Sequence, residues 1–495
     1  MALFTIKDLF ILYHLHRFLA YGELSPMVQK VKIKYDEFGL AKFISEYKTT
    51  AQRKQEGKDK RTEVPREVHA EFEAASDRPD PVSVIKKSSE GRWEHLIPIR
   101  YGRMSRSPFA FLRGSASLMA MDIATTSSPD IRAQACGDCH LSNFGLYATP
   151  ERNLIFDIND FDETLPAPFE WDIKRLAASF YVVGKVNGFS EKDCKMAART
   201  CVRAYREAIA KFAAMKVLDV WYATLDMNTI IAMAPDEQAK RRRQVLAEKA
   251  RTRVAENMFP KISQVISGRR TIVDQPPLIY HPSPELKMPE NLFDTFEIYR
   301  KTLPYERQVL LDRYRFEDVA IKVVGVGSVG TRCGVVLMMA EEDDPLILQI
   351  KEANVSVLEP YAGKGQFRHH GERIVVGQRL MQSASDMLLG WTTGTSKDHR
   401  QFYIRQLRDM KFSIEVEMAP PDQLSNYAVV CGWTLARAHA RSGDVAMITG
   451  YIGKSDVFDR AIGTFARLYA DQTERDYAIF TGAITSGEIT ADMEN

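Results

Sequence analysis

Several things are scarce in this chain, and each absence removes a class of protein. Six cysteines in 495 residues are too few for a disulfide scaffold, and without a clear secretory signal they are expected as reduced thiols. No stretch approaches the roughly 20 apolar residues needed to cross a bilayer, so a soluble cytoplasmic protein with no membrane partner is expected. Charge of one sign is not in excess: 67 Lys and Arg face 65 Asp and Glu, which leaves no strong nucleic-acid signal. Internal repeats are absent. Leu9 to Tyr21 is the sole candidate targeting segment, but His14, His16 and Arg17 interrupt it and it reads as an amphipathic helix.

What is present suits a folded body: 45% hydrophobic and 27% charged residues, in a chain long enough for two or three packed lobes. Residues Thr49 to Pro81, rich in charge and proline, read as a solvated connector after an N-terminal extension (residues 1–60). Helical texture covers Phe109 to Ala124, Trp171 to Val183, Glu191 to Met215 and Asp236 to Met258, with short strands at Ala133 to Cys136 and Asn153 to Ile158. The run Lys240 to Arg243 reads either as a phosphate or nucleic-acid contact or as a solvated helix face. Near Phe316 the texture becomes β-branched and glycine-rich: Val319 to Val324, Cys333 to Met339 and Leu346 to Ile350 read as strands. A helix is expected from Gly371, a strand at Phe402 to Leu407, and helices from Tyr427 onward.

Two constellations carry chemistry. The first is Gly137-Asp138-Cys139-His140-Leu141-Ser142-Asn143, then an apolar strand and Asp160-Phe161-Asp162. Phosphoryl transfer needs an oxygen base near the acceptor hydroxyl and hard oxygen ligands that hold Mg²⁺ against phosphates, and Asp138, Asn143 and Asp160 supply both. Asp157 rivals Asp160; the plainer alternative is that all these acids cap turns and helices. The second is Gly325-Val326-Gly327-Ser328-Val329-Gly330, followed by Lys351 on the next strand but one and Glu372 in the helix after it. Glycines admit close approach of backbone N–H groups to phosphates, a strand lysine neutralises them, and a helix acid orients the lysine. A dinucleotide fingerprint would need a helix after the loop, whereas residues 333–339 read as strand. The alternative is a hairpin with glycine turns and an exposed lysine.

Three further motifs admit more than one reading. Cys136-x-x-Cys139-His140 matches a haem attachment pattern, but that reading leaves the flanking Gly137-Asp138 and Asn143-Phe144-Gly145 unexplained. Arg103, Arg106 and Arg113 either clamp an anion or form ion pairs with the acidic loop. His439 and Asp444 read as helix and cap residues.

Gly-Asp-x-His-x-x-Asn, a strand and Asp-Phe-Asp together resemble the catalytic and metal-binding loops of aminoglycoside-phosphotransferase-like kinases. The resemblance implies Asp138 as base, His140 as loop organiser, Asn143 and Asp160 as Mg²⁺ ligands, and Asp172 as a support for the catalytic loop. It also implies ATP and Mg²⁺ as cofactors and a two-lobed α+β kinase-like fold. The lobes would be a small antiparallel nucleotide lobe (311–415) and a helical catalytic lobe (61–310 and 416–495). Because the catalytic-type loop precedes the glycine loop, the fold would be circularly permuted, with 402–407 as hinge and 435–440 in the helix that leads to the catalytic loop. The expected function is phosphoryl transfer to a small-molecule or protein acceptor. AMP transfer and a non-catalytic nucleotide sensor are the alternatives. Residues 64–487 are also similar to a bacterial domain-of-unknown-function family, number 2252, through the stretches 98–114, 136–145, 159–164, 403–411 and 438–444. That likeness implies no activity of its own.

Overall fold

The computed structural model describes residues 48–493 apart from 235, 254–258, 261, 267–268, 282–291, 396, 408–409, 411 and 414. The amphipathic helix expected at Leu9 to Tyr21 lies outside these. Lys54 to Asn495 forms one compact unit of mixed α and β structure.

Its centre is a layer of helices. Phe169–Val186 is buried along almost its whole length, its charged residues Glu170, Asp172, Lys174 and Arg175 included. Beside it, Glu191–Phe212 buries Cys194, Ala198, Cys201, Tyr205 and Phe212, the spacing of a single helical face. That face meets Pro421–Ser442, where a Cβ on Gly432 would lie 2.2 Å from the Cys201 carbonyl oxygen, so the close crossing requires glycine. Val457–Thr485 closes the layer.

Among the described residues the strands form four antiparallel sheets. Strands β1 (Arg132–Ala135) and β4 (Leu165–Pro168) form one pair; β2 (Phe144–Ala148) and β3 (Leu154–Ile158) form a hairpin extended by β13 (Phe412–Ser413); β5 (Ser263–Ile266) and β6 (Arg269–Ile272) form another hairpin. The largest sheet has six strands in the order β11 (Gly390–Thr393), β12 (Gln401–Gln406), β10 (Pro345–Glu352), β9 (Cys333–Met339), β8 (Arg315–Lys322), β7 (Ile279–Tyr280). One face of β10 packs Leu346 and Leu348 onto Tyr299, Leu303 and Ile404. The side-chain period of two turns Gln349 and Lys351 to the other face. Helix His370–Met381 follows β10 in sequence and packs on β11 and β12.

Three expectations change. The supposed connector is structured: Thr50–Glu63 and Pro81–Lys87 are helices. A Cβ on Gly57 would lie 1.9 Å from the Met447 carbonyl oxygen, and Arg78 is sandwiched between Asp122 and Asp476 at 2.7 Å from each. The Arg78 charge is paired inside the body, while Lys54, Lys58, Asp59 and Glu63 stay exposed. The segment 190–310, expected to be helical, supplies β5, β6 and the edge strand β7, and β7 pairs with β8. These strands are only two to four residues long, too short for alternation to mark them. The helix expected over Phe109 to Ala124 is broken into Pro108–Gly114 and Ala116–Ala124.

Candidate functional site

Strand register explains why the two acidic loops meet. In the β2–β3 hairpin Phe144 faces Ile158, so Asn143 and Asn159 leave the same end, and the Asn159 amide donates to the Asn143 carbonyl at 2.7 Å. In the β1–β4 pair Ala135 faces Leu165, which brings residues 136 onward beside Thr164. The loop 136–143 and the loop 159–164 are thereby neighbours.

The first loop is held from beneath. Asp172, in the first turn of Phe169–Val186, accepts the amides of Cys136 at 2.6 Å and Gly137 at 3.0 Å. Gly137 has φ +86°, and a Cβ there would press on the Glu163 backbone at 2.4 Å, so both its conformation and its surroundings demand glycine. Asp172 is steadied by His439 Nε2 at 3.3 Å, whose Nδ1 meets the Tyr205 hydroxyl at 2.9 Å. His439 is thus buried support, and Asp444 caps helix Val445–Ile452.

Asp138 follows. Arg175, one helical turn beyond Asp172, donates from Nε to Asp138 Oδ1 at 2.6 Å. Burial pushes the Asp138 carboxyl above its ordinary range, and Arg175 opposes the shift. His140 Nε2 lies 3.7 Å from Asp138 Oδ2, and burial, with Arg113 and Arg175 nearby, holds this imidazole well below its ordinary pKa. Asn143 donates from Nδ2 to the Asp138 carbonyl at 2.6 Å, which leaves its Oδ1 as the acceptor. Asp160 presents a side chain 34% exposed. Its rival Asp157 is fully buried, ion-paired with Arg437 and bonded to the Ser383 amide at 2.9 Å, a structural role.

The second constellation arrives from the large sheet. The glycine loop joins β8 to β9, with Gly325 at φ +63° and Gly330 at φ +86°. Ser328 Oγ donates to Asp162 Oδ2 at 3.3 Å, and a Cβ on Gly327 would come within 3.4 Å of the Arg113 carbonyl. Lys351 Nζ lies 2.6 Å from Asp162 Oδ2 and 3.9 Å from Asp160 Oδ2. Burial alone would depress this ammonium, but the two carboxylates outweigh it and hold its pKa well above the ordinary value. Burial also pushes Asp162 up, yet Lys351, the Tyr403 hydroxyl at 2.6 Å and Arg405 bring it down to about 2.

Asp138, His140, Asn143, Asp160, Gly325, Gly327 and Ser328 line one cavity of about 740 Å³. Lys351 reaches that site through Asp160 and Asp162. Gly330 sits at the loop's far end, where a Cβ would approach Arg92 at 3.1 Å. Glu372 is not brought in: among the described residues the ion partners of Lys351 are Asp160 and Asp162. At the start of helix His370–Met381 it is the next residue, Arg373, that turns to the loop, donating to the carbonyls of Asp162, Thr164 and Asn354. Cys136 and Cys139 are buried; burial raises the Cys139 thiol well above its ordinary pKa, and Cys136 rises to about 11.

Sequence reading missed Asp162, Arg175, Arg373 and Tyr403. Only the spacing of Asp172 and Arg175, three apart on one helix, was a usable signal. Tyr403 pairs with Lys351 across β12 and β10, and Glu163, whose Oε2 accepts the Val357 amide at 2.7 Å, is pushed up to about 7 by burial.

Among the described residues no cluster of three or more His, Cys, Asp and Glu forms a ready metal cage. The donors suited to a hard cation are the Asp160 carboxylate and Asn143 Oδ1. No curated protein and no solved structure matches the chain. Residues 92–483, most of the chain and all of this cavity's acidic and glycine loops, match the family model described as "Uncharacterized protein conserved in bacteria" (DUF2252), and the chain belongs to that family.

Proposed function

We propose that the protein is a Mg²⁺- and ATP-dependent phosphotransferase with a kinase-like, circularly permuted active site. The observation that carries this reading is that two segments distant in sequence, 138–162 and 325–328, line one cavity, and that Lys351, from a third, is buried behind its wall against Asp160 and Asp162. Kinases place a glycine loop ahead of a lysine on the third strand, and a helix follows. Here the glycine loop joins β8 to β9, Lys351 lies on β10, the third strand from the loop's entry, and helix His370–Met381 follows. After β12 the chain passes to β13 on the β2–β3 hairpin, the place a hinge would occupy.

The residues present fit Mg²⁺: that ion takes one or two protein oxygens and completes its shell with phosphates and water, so the lack of an all-protein cage is in keeping with it. Asp160 and Asn143 would hold the ion, which would neutralise charge on the transferred group. The glycine-loop amides would bind phosphate oxygens. Lys351 would share its charge between Asp160, Asp162 and the nucleotide. Asp138, its Oδ1 engaged by Arg175, keeps Oδ2 to accept the proton of an acceptor hydroxyl; burial has made it a better base. The acceptor oxygen forms a bond to the terminal phosphorus, the bond to the bridging oxygen breaks, ADP leaves, and the proton passes from Asp138 to solvent.

Product analysis tests the reading. Mg²⁺-dependent release of ADP from ATP, with water or an added hydroxyl compound as acceptor, supports it. Pyrophosphate release would indicate AMP transfer, and Mg²⁺-dependent binding with no turnover would indicate a sensor.

A further inference from the structure

Residues 87–117 also line the cavity, contributing Lys87, Arg92, Arg100 and Arg113 against one acid, Glu90. Arg92, Arg100 and Arg113 all line the cavity, yet among the described residues none has a carboxylate within ion-pair distance. Arg92 donates from Nε to the Ser88 carbonyl at 3.0 Å and from Nη1 to the Val329 carbonyl at 2.6 Å. Arg100, 1% exposed, is held by Ser89 Oγ at 2.7 Å and the Gly114 carbonyl at 2.9 Å, and its Nε is buried without a hydrogen-bond partner. Arg113 stacks over Phe109 at 5.8 Å, and its Nε is likewise buried and unpartnered. Ser117 Oγ, in the first turn of Ala116–Ala124 and on the same wall, is a third orphan.

Buried cations are normally paired, and an uncompensated one costs several kcal/mol. The nearest acids do not discharge this cost. Glu417, Asp138 and Asp160 attract Arg113 only at longer range, and Arg175 and Lys351 already engage the last two. Glu163 and Glu352 attract Arg92, while Arg332 and Arg400 already engage Glu352. Arg92 and Arg100 repel each other. Carbonyl and hydroxyl acceptors orient the two guanidinium groups without neutralising them. Arg is the side chain best shaped to bind phosphate oxygens.

We infer that Arg92, Arg100 and Arg113 form a subsite for an oxyanion of the phosphate class, and that this anion belongs to the acceptor. The acceptor is then an anionic molecule, a phosphorylated metabolite or phosphate-bearing chain, with its hydroxyl directed across the cavity to Asp138. The role of acceptor rests on the phosphotransferase reading; the anion subsite does not.

Calorimetric titration of the full chain with inorganic phosphate, at constant ionic strength set by chloride, tests this with and without saturating Mg²⁺ and a non-hydrolysable ATP analogue. Saturable phosphate binding is expected in both conditions, weakened tenfold or more in Arg113→Gln and retained in Asp160→Ala. Arg113→Lys, which keeps the charge, should recover part of the affinity. Three results would overturn the inference: no saturable binding to the wild type, phosphate binding abolished by the ATP analogue, or unchanged affinity in a folded Arg113→Gln. The second would assign the arginines to the nucleotide. Phosphate binding with no nucleotide binding at all would uphold the subsite and remove the phosphotransferase reading.

Discussion

Lys351 Nζ sits 2.6 Å from Asp162 Oδ2, although 189 residues separate them in the chain. The contact joins the six-stranded sheet to the loop after the β2–β3 hairpin. Lys351 is only 3% exposed, so its charge depends on Asp162 and Asp160 to remain buried.

Lys351→Met should therefore destabilise the protein by about 1–3 kcal/mol, the cost of leaving the partly buried Asp162 carboxylate without its cation. Asp162→Asn in the same chain should recover part of that loss. A double-mutant cycle from urea melts checks this; additive effects would mean that the two groups are not coupled.

Asp172→Asn keeps one good acceptor oxygen where Cys136 and Gly137 need two. It should cost about 1–3 kcal/mol and speed hydrogen exchange at those two amides more than elsewhere in the helical layer. Uniform exchange would show that Asp172 does not hold the loop.

Glu163 provides a pH test. Its pKa is raised to about 7 in the folded state from 4.5, so the folded protein binds more protons than the unfolded chain between those values. Stability from this group is fully present below about 4.5 and falls as pH rises to about 7. Glu163→Gln, whose carbonyl still accepts from Val357, should gain on the wild type as pH rises from 5 to 8. Thermal melts at the two pH values measure it, and an equal difference at both would refute the assignment.

Asp138→Asn should reduce turnover by about 10²- to 10⁴-fold, the range for a general base, with nucleotide affinity nearly unchanged. Retained turnover would move the base elsewhere in the cavity.

Legibility in the sequence followed signal strength. Cys333–Met339 was readable to the residue because six of its seven positions are apolar and it stands between the glycine loop and an acidic turn, and the long helices 169–186 and 191–212 because their apolar faces recur over many turns. Strands β5 to β7 were not, since a few residues carry no period, and the helices at 50–63 and 81–87 were hidden by the charge and proline of their segment. At the site, Asp138, Asn143 and Asp160 stood out because their spacing is unusual as a set. Preference for Asp160 over Asp157 agrees with their environments, one facing the cavity and one sealed against Arg437. Glu372 was expected beside Lys351 on spacing alone, but helix phase presents Arg373, and the lysine finds its acids in the loop. The arginine wall was only half legible: Arg113 was flagged, whereas the lack of counter-ions is a property of packing that no sequence displays.

The central claim is best tested by calorimetric titration of the purified chain with a non-hydrolysable ATP analogue, with and without Mg²⁺, alongside Asp160→Ala. Saturable binding that requires Mg²⁺ and is lost in a folded Asp160→Ala is the predicted result. No binding by the folded wild type, or equal affinity in the variant with Mg²⁺ irrelevant, would contradict the kinase-like site.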